Sequence, residues 1–495
     1  MKRIIHTIYA LFLCILVNAQ TLFTNPEVFP KREVRAVWLT TFGGLDWPKT
    51  KATNEWNREA QQEELCDILD QLKECGINTV LLQVRTRGTV LYPSNIEPWD
   101  VVLTGKYDKD PGYDPLAFAI EETHKRGMEL HAWIVAIPSF KAENARRIGR
   151  KSLIHTHPRL LKKHGDTYYL DPGLPGTADY LERLCHEIVE NYDVDGIHLD
   201  YIRYPENSSS FPDSYTYKIY GDGMSKADWR RENITAVVQQ IYHTVKEFKP
   251  WVRVSCSPVG KYDDVTRYSA RGWSAYSTVF QDAQGWLKLG IMDMLFPMMY
   301  FQGDHFYPFA ADWQERSYGR SVVPGLGIYF LSPKEQNWDL GVIKRELAYL
   351  RLIDVGGEAY FRSQFLTKNE KGIYDYLKSI YYPYPAIMPA MTWQHNVTPA
   401  APDVQVKRTG PTTVRLSWQP VRSGGSTCRY IIYASREMPV DISNPANLIT
   451  IVSEPEYTYN LLTATLWNLH LAVTTLDRYG NESLPHVIDI NLPKN

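Results

Sequence analysis

Short runs of apolar, β-branched and aromatic residues recur between residues 34 and 363, each followed by a loop and usually by a helical pattern. Their nearly continuous hydrophobicity is typical of strands that are covered on both faces. The predicted strands are Val34–Thr41, Asn78–Arg85, Met128–Ala136, Gly196–Tyr204, Val252–Pro258, Met292–Phe301, Val322–Tyr329 and Glu358–Ser363. Eight such strands alternating with helices predict an α/β fold, a closed (β/α)8 TIM barrel.

Helical periodicity between the strands supports this prediction. Leu65, Leu69 and Leu72 share one helical face, and Gly76 stands where a C-terminal cap belongs. A doubly wound open sheet is the structural alternative. The sequence has neither a GxGxxG run after the first strand nor a GxxxxGK[ST] run, so the barrel is favoured.

From about residue 400 the pattern changes to short strands separated by prolines, without helices. The predicted strands are Val404–Lys407, Thr413–Trp418, Arg429–Ala434, Leu448–Val452, Trp467–Leu476 and Val487–Ile490. This spacing predicts a β-sandwich, and the residues resemble a fibronectin type III domain, which implies a spacer or docking module. We expect a barrel domain over residues 30–380, a proline-rich connector over 381–401 and a fibronectin type III-like domain over 402–495.

The first 19 residues have the features of a secretory signal. Lys2 and Arg3 precede a mostly apolar run, Ile4–Val17, and Ala19 marks the expected cleavage site. The run is too short to span a bilayer comfortably, and no later segment is apolar enough to do so. Lipid anchoring at Cys14 is the less favoured alternative, because no small residue precedes that cysteine. We therefore expect an exported protein of the periplasm or cell surface.

Composition narrows the class of protein. The 54 Lys and Arg residues against 56 Asp and Glu residues argue against a nucleic-acid binder, which normally carries a basic surplus. Aromatic residues make up 13% of the chain and suit a polysaccharide groove, although cores use the same residues. The cysteines are few and form no CxxC pair, so neither a disulfide framework nor a zinc site is expected.

The position of a residue along a barrel strand indicates whether its role is structural or functional. In this fold the active site lies at the carboxyl ends of the strands, and the amino ends form a stabilising floor. Asp195, Asp293 and Glu358 stand at the starts of strands, so we assign them to the floor.

Four pairs of residues two apart stand near the carboxyl ends of strands: Gln83 and Arg85, His131 and Trp133, His198 and Asp200, and Tyr300 and Gln302. Residues two apart in a strand share a face. Polar groups inside a barrel, which is normally aliphatic, need partners. Together the pairs predict a polar and aromatic site.

Asp200 is the strongest catalytic candidate, because a carboxylate at this position can stabilise or attack a developing oxocarbenium ion. Arg203 nearby is expected to keep it ionised; an ion pair with Arg85 or Arg203 that is only structural is the alternative. A second carboxyl group is needed as proton donor. The candidates in loops are Asp46, Asp171, Asp263, Asp264 and Asp304. We rank Asp171 first, and a turn or helix cap is its equally good structural interpretation.

Several runs in order along residues 30–380 resemble the glycosyl-hydrolase-like 10 family of exported bacterial proteins. They are Glu33–Thr40, Gly76–Arg85, Leu91–Ser94, Gly112–Leu116, Asp195–Tyr201 and Phe296–Tyr300. The resemblance implies a (β/α)8 hydrolase-like domain, with a role on cell-wall glycan for some members. The fourth strand is also faintly similar to family 18 chitinases, but Ile202 stands where their catalytic Glu is expected, so that mechanism is not carried over.

The leading hypothesis is an exported glycoside hydrolase that cleaves an extended polysaccharide, with Asp200 and Asp171 as catalytic residues. Peptidoglycan glycan strands are the first choice of substrate, and an environmental or host glycan is the second. The residues expected to bind the sugar are Arg85, His131, Trp133, His198, Arg203, Tyr300 and Gln302. The second hypothesis is a non-catalytic glycan-binding or scaffold protein of the cell envelope, with contacts through the C-terminal domain. The third is a metal-dependent deacetylase or amidase that uses His155 and His157. We expect no cofactor.

Overall fold

The computed structural model describes residues 29–460 and 469–489, and the expected signal, residues 1–19, lies outside the described residues. A parallel sheet forms the centre of the larger domain. Its strands are β1 (Val34–Leu39), β2 (Thr79–Arg85), β3 (Glu129–Val135), β4 (Gly196–Asp200), β5 (Arg253–Cys256), β6 (Met294–Leu295), β7 (Ser321–Val322 and Gly325–Leu326) and β8 (Gly357–Phe361).

The sheet closes into a ring through β7, a single strand interrupted at Val323 and Pro324. Its first half pairs with β6 and its second half with β8, which in turn pairs with β1. Within the interruption, Val323 N donates to Leu295 O at 2.8 Å. The predicted (β/α)8 barrel is therefore confirmed.

Helices surround the ring and bury their apolar faces against it. They are α1 (Glu55–Glu74), α2 (Pro115–Lys125), α3 (Pro175–Asn191), α4 (Lys226–Phe248), α5 (Ala283–Leu289), α6 (Tyr307–Glu315), α7 (Leu340–Leu352), α8 (Ser363–Thr367) and α9 (Ile373–Tyr376). The Asp114 carboxylate caps α2 by accepting hydrogen bonds from the amides of Leu116 and Ala117. No helix in the described ranges has the length and apolar character needed to cross a membrane.

The loop after β3 contains a small antiparallel sheet at the carboxyl end of the barrel. Its strands are Pro138–Lys141, Leu161–His164 and Thr167–Leu170, in the order first, third, second. The sheet supplies His164 and Tyr169 to the end of the barrel where the site lies.

Two antiparallel sheets form most of the C-terminal domain. One contains Gln405–Arg408, Thr413–Ser417 and Glu456–Asn460, and the other contains Leu448–Val452, Arg429–Ser435, His470–Leu476 and His486–Asp489. The all-β prediction is confirmed, although strand Glu456–Asn460 was not predicted. Residues 467, 468 and 490 of two predicted strands lie outside the described residues. The fibronectin type III likeness stays a prediction.

The connector, residues 381–401, packs beneath the amino ends of the strands. Ile387 is 1% exposed, and Arg35 Nη1 donates to the carbonyl oxygen of Tyr384 at 2.7 Å. Trp393 Nε1 donates to Asp293 at 2.9 Å. The connector therefore covers part of the bottom of the barrel.

The three acidic residues assigned to the floor are found there. The Asp195 carboxylate lies 2.7 Å from His124 Nε2, and that of Asp293 lies 2.6 Å from Lys246 Nζ. Glu358 accepts a hydrogen bond from the hydroxyl group of Tyr382. Their structural interpretation is confirmed.

Candidate active site

The Asp200 carboxylate lies at the carboxyl end of β4 and is only 5% exposed. Oδ1 accepts hydrogen bonds from Ser257 Oγ at 2.9 Å and from Tyr201 N at 2.8 Å, and Oδ2 accepts one from Trp133 Nε1 at 3.1 Å. Burial raises the pKa of Asp200, and these donors, with the charge of Arg203, oppose that shift. Because all three partners donate, they favour the ionised carboxylate.

Tyr201 follows Asp200 in a left-handed conformation, with φ of 50°. A non-glycine residue is strained there, and such strain concentrates at functional sites. The Tyr201 amide donates to the Asp200 carboxylate, so the turn after β4 helps to hold the carboxylate in place.

Tyr300 also lies near Asp200. Burial and the negative charge of Asp200 raise the pKa of the Tyr300 hydroxyl group well above its ordinary value. Its ring stacks on Phe361 with 5.4 Å between centroids. Burial and the same carboxylate raise the pKa of Tyr201. Two tyrosines therefore lie near Asp200.

His198 lies deeper in the barrel than predicted. It is fully buried, its Nε2 accepts a hydrogen bond from Trp38 Nε1 at 3.1 Å, and its Nδ1 lies 3.0 Å from Ser255 Oγ. Burial and the charge of His131 hold the pKa of His198 well below its ordinary value, so the ring is neutral. It supports the layer beneath Asp200 and cannot touch a sugar.

His131 is deeper still and also fully buried. It faces Gly196, the first residue of β4, and its Nε2 lies 3.4 Å from the Glu129 carboxylate at the floor. The prediction that His131 binds sugar is wrong, because its side chain is fully buried beside the floor of the barrel.

Arg85 does not face the site. Its Nη2 and Nε donate to the Glu97 carboxylate at 2.7 and 2.8 Å, and Nη1 donates to the carbonyl oxygen of Ala136 at 3.0 Å. The side chain is fully buried, and Tyr180 of α3 also donates to Glu97. The prediction that it binds sugar is therefore wrong: Arg85 joins the sheet to the outer helices.

Asp171, the first choice as proton donor, has no exposed surface. Its carboxylate accepts hydrogen bonds from Thr216 Oγ1 at 2.6 Å and from Gly173 N at 3.1 Å. Burial raises its pKa, but a proton donor must also reach the glycosidic oxygen. The structure supports the turn interpretation instead, with Asp171 holding the loop before α3.

Two cavities open at the carboxyl end of the barrel; Tyr300 lines one of them, and Tyr201, the neighbour of Asp200 in the chain, lines the other. The larger, of about 570 Å³, is mainly aromatic, and its lining includes Trp273, Tyr300, Gln302, Tyr329, Phe330 and Trp338. The smaller, of about 270 Å³, is lined by Arg87, Pro138, His164, Tyr169, Tyr201, Arg203, Tyr204, Pro205, Glu206 and Asn207. Tyr300, Gln302 and Arg203 thus lie where sugar-binding residues were predicted. Trp133 lines neither cavity; its indole N–H donates to the Asp200 carboxylate.

The two cavities meet at the side chain of Arg203. The guanidinium lies 5.5 Å from the ring centroid of Trp273, which lines the larger cavity, while Arg203 itself lines the smaller one. A groove with flat apolar faces at one end and polar groups at the other suits an extended sugar chain.

Several residues of the groove were missed by the sequence analysis. Ser257 could have been found, because it lies within the predicted strand Val252–Pro258, near its carboxyl end, and two residues beyond Ser255. Tyr329 could also have been found, because it ends the predicted strand Val322–Tyr329. Trp273 and Trp338 stand in loops far from Asp200 along the chain, where no strand pattern marks them.

The histidines considered for metal binding do not form a centre. His157 Nδ1 lies 3.0 Å from Thr156 Oγ1, and its Nε2 lies 3.2 Å from Arg183. Across residues 29–460 and 469–489, no group of three or more His, Cys, Asp or Glu side chains is placed to hold a metal ion.

Comparison with known proteins finds relatives for most of the chain. The model of the glycosyl hydrolase-like 10 family matches residues 33–324. The glycosyl hydrolase YngK of Bacillus subtilis is 33% identical over 390 residues, covering 75% of this chain and 76% of that protein. The glycosyl hydrolase DigH of Escherichia coli K12 is 37% identical over 287 residues, covering 54% of this chain and 65% of that protein. The PgaB (BpsB) glycoside hydrolase domain of Bordetella bronchiseptica matches with a TM-score of 0.49 and 13% identity, covering 70% of this chain and 98% of that domain.

Proposed function

The chain belongs to the glycosyl hydrolase-like 10 family and is a glycoside hydrolase, and from this premise we propose that it is exported and cleaves peptidoglycan glycan strands. One observation carries the proposal. A nearly buried carboxylate, Asp200, lies at the carboxyl end of the barrel beside residues of two cavities: Tyr201, which donates to it, lines the smaller, and Tyr300, whose pKa is raised by burial and by the Asp200 charge, lines the larger. An open groove suits the interior of a polymer better than a single small sugar. The signal-like residues 1–19 support export to the compartment that holds this polymer.

In this proposal Asp200 is the carboxylate that acts on the anomeric carbon. Its three hydrogen-bond donors hold it ionised and in one orientation while positive charge develops on the sugar ring. The rings of Tyr201 and Tyr300 border the same position.

The proton donor is expected among the exposed acidic residues of the groove rather than at Asp171. Glu206 lines the smaller cavity, and Asp304 lies in the loop after β6, beside Gln302 of the larger cavity. Both carboxyl groups are exposed, so both are open to an incoming glycosidic oxygen.

The test uses glycan strands stripped of their stem peptides, incubated with the wild-type chain and with Asp200→Asn. Mass spectrometry should find soluble fragments from wild type and at least about a hundredfold fewer from Asp200→Asn. Asp228→Asn, on the exposed first turn of α4, is the control and should cut normally. Equal cleavage by wild type and Asp200→Asn would contradict the catalytic role of Asp200. If wild type leaves the strands uncut, peptidoglycan glycan strands are not the substrate.

The same assay identifies the proton donor and the type of cleavage. Glu206→Gln and Asp304→Asn are compared on strands, and the variant that loses turnover marks the donor. Fragments with reducing ends indicate hydrolysis, whereas anhydro ends indicate lytic cleavage.

A further inference from the structure

Arg203 differs from the other arginines that are buried in the barrel. Four of these donate to a carboxylate within hydrogen-bond distance: Arg35 to Glu33, Arg85 to Glu97, Arg230 to Asp213 and Arg253 to Glu129. Arg203 is equally buried, at 5% exposed, yet its ion pair with Glu206 spans 3.9 Å. Within the described ranges its buried Nε has no hydrogen-bond partner. Burying a guanidinium without hydrogen-bond partners costs free energy, unless a ligand accepts its hydrogen bonds.

Two aromatic rings hold the Arg203 guanidinium in place. It lies 4.7 Å from the ring centroid of Tyr201 and 5.5 Å from that of Trp273. Rings pack against the flat faces of a guanidinium and leave its edge of N–H groups free to donate. The edge of Arg203 is not used on Asp200, whose hydrogen-bond donors are Ser257, Tyr201 and Trp133.

Two more basic side chains line the smaller cavity with Arg203. Arg87 lies 5.2 Å from the ring centroid of Phe42, and His164 makes edge contacts with the rings of Tyr169 and Phe211. The acidic residue in the lining is Glu206, whose side chain is 67% exposed. Two arginines against one solvated carboxylate leave the cavity positive, with room for about one sugar residue.

We propose that this cavity is a subsite for a sugar that carries a carboxylate, with Arg203 as the bidentate donor and Arg87 as the second cation. A carboxylate matches the planar edge of a guanidinium, and its charge balances the positive cavity. The inference rests on the proposed function and narrows it: the glycan that is cut is acidic, and an acidic sugar lies beside the bond to be cleaved.

The first experiment measures binding without turnover. The full chain carrying Asp200→Asn is titrated by calorimetry with N-acetylmuramic acid and with its methyl ester, and separately with glucuronic acid and glucose. The acid should bind at least about tenfold more tightly than its neutral counterpart. If only N-acetylmuramic acid binds more tightly than its neutral counterpart, the subsite recognises the lactyl carboxylate. If glucuronic acid does so too, the subsite accepts sugar carboxylates in general. Equal binding of acid and neutral sugar, or no binding of either, overturns the proposal.

Variants of Arg87 and Arg203 test the residues named. Arg87→Gln changes a half-buried side chain and should reduce the preference for the acid to about one without affecting the neutral sugar. Arg203→Lys keeps the charge but loses the paired donors, so it should weaken binding of the acid alone. Arg436→Gln, on the exposed surface of the C-terminal domain, is the matched control and should retain the full preference. An unchanged preference in Arg87→Gln and Arg203→Lys would contradict the assignment.

Cleavage distinguishes failure of the subsite from failure of the proposed function. Stripped strands are compared with strands whose carboxylates have been converted to amides. Wild type should cut the acidic strands at least about tenfold faster in kcat/KM. Equal rates on the two kinds of strand would contradict the carboxylate subsite, while the proposed hydrolase activity would stand. If the acidic sugar binds preferentially but neither kind of strand is cleaved, the carboxylate subsite stands and the proposed substrate is wrong.

Discussion

Arg429 of the C-terminal domain lies 3.1 Å from Oε1 of Glu129, a carboxylate at the floor of the barrel. The two residues are 300 positions apart along the chain. Glu129 also accepts hydrogen bonds from Arg253 at 3.2 Å, so one buried carboxylate joins the two domains. Arg478 of the same domain lies 3.2 Å from Asp195. The C-terminal domain is therefore part of the barrel's support.

Arg429→Gln should lower the free energy of unfolding by about 1–2 kcal/mol, because it removes a charged partner from a buried carboxylate. Urea unfolding followed by circular dichroism measures the change. Arg415→Gln removes an exposed pair with Glu456, in which both side chains are 51% exposed, and should cost less than about 1 kcal/mol. Equal effects of the two variants would contradict a supporting role for the interface.

Acid should weaken the barrel floor. Burial disfavours the charged form of Glu129, but the Arg253 charge and its other partners outweigh burial and lower its pKa from 4.5 to about 2. A group whose pKa is lowered on folding stabilises the protein above its ordinary pKa, so this contribution is lost as pH falls from 4.5 towards 2. Urea unfolding over this range should give a shallower pH dependence for Glu129→Gln than for wild type.

Ser257→Ala should move the acidic limb of the kcat/KM profile to higher pH. Ser257 donates to Asp200 Oδ1, and without this donor burial raises the pKa of Asp200 further. The proposed mechanism needs the ionised carboxylate, so activity is lost at a higher pH. Ser255→Ala is the control, because Ser255 is equally buried two residues earlier, on β5, but contacts His198. A limb that stays in place in Ser257→Ala would exclude Asp200 as the group that titrates.

Asp171→Asn and Asp200→Asn should have opposite effects. Asp171→Asn weakens the bonds that hold the loop before α3 and should cost about 1 kcal/mol of stability, with activity within about twofold of wild type. Asp200→Asn should lose activity and keep the thermal midpoint. Calorimetry and cleavage assays on both variants give the comparison. Loss of turnover in a stable Asp171→Asn would restore Asp171 as proton donor.

Glu346→Met should stabilise the protein at alkaline pH. Glu346 of α7 is 1% exposed, neither carboxyl oxygen has a partner within the described ranges, and burial raises its pKa to about 9. A group with a raised pKa stabilises the protein below its ordinary value of 4.5 and loses that contribution as pH rises towards 9. At pH 8 the variant should gain about 1–3 kcal/mol, measured by urea unfolding. Glu335→Gln, at an exposed position, should show no gain.

Strand alternation predicted which way residues face but not how deep they lie. His131, Trp133 and Asp200 do lie inside the barrel, but the stagger of neighbouring strands sets their depth. The register pairs Trp133 with His198 and Val135 with Asp200, so only the last residues of each strand reach the site. Depth depends on strand pairing across the sheet, which one strand's pattern does not contain.

Arg85 shows where alternation itself fails. The register between β2 and β3 shifts between Gln83 and Arg85, so the two residues do not share a face. Gln83 Oε1 accepts hydrogen bonds from Thr40 Oγ1 and Thr41 N inside the barrel, while Arg85 contacts Glu97 among the helices. An irregularity of this kind depends on tertiary contacts and leaves no mark in the spacing of residues.

The docked connector and C-terminal domain have a consequence for how this protein can change. They fix the amino ends of the strands, while the groove is built from loops at the opposite end. Loops of the groove can therefore be exchanged between relatives, or redesigned, without disturbing the contacts that stabilise the amino ends of the strands. New glycan preferences are accessible by recombining these loops on an unchanged base.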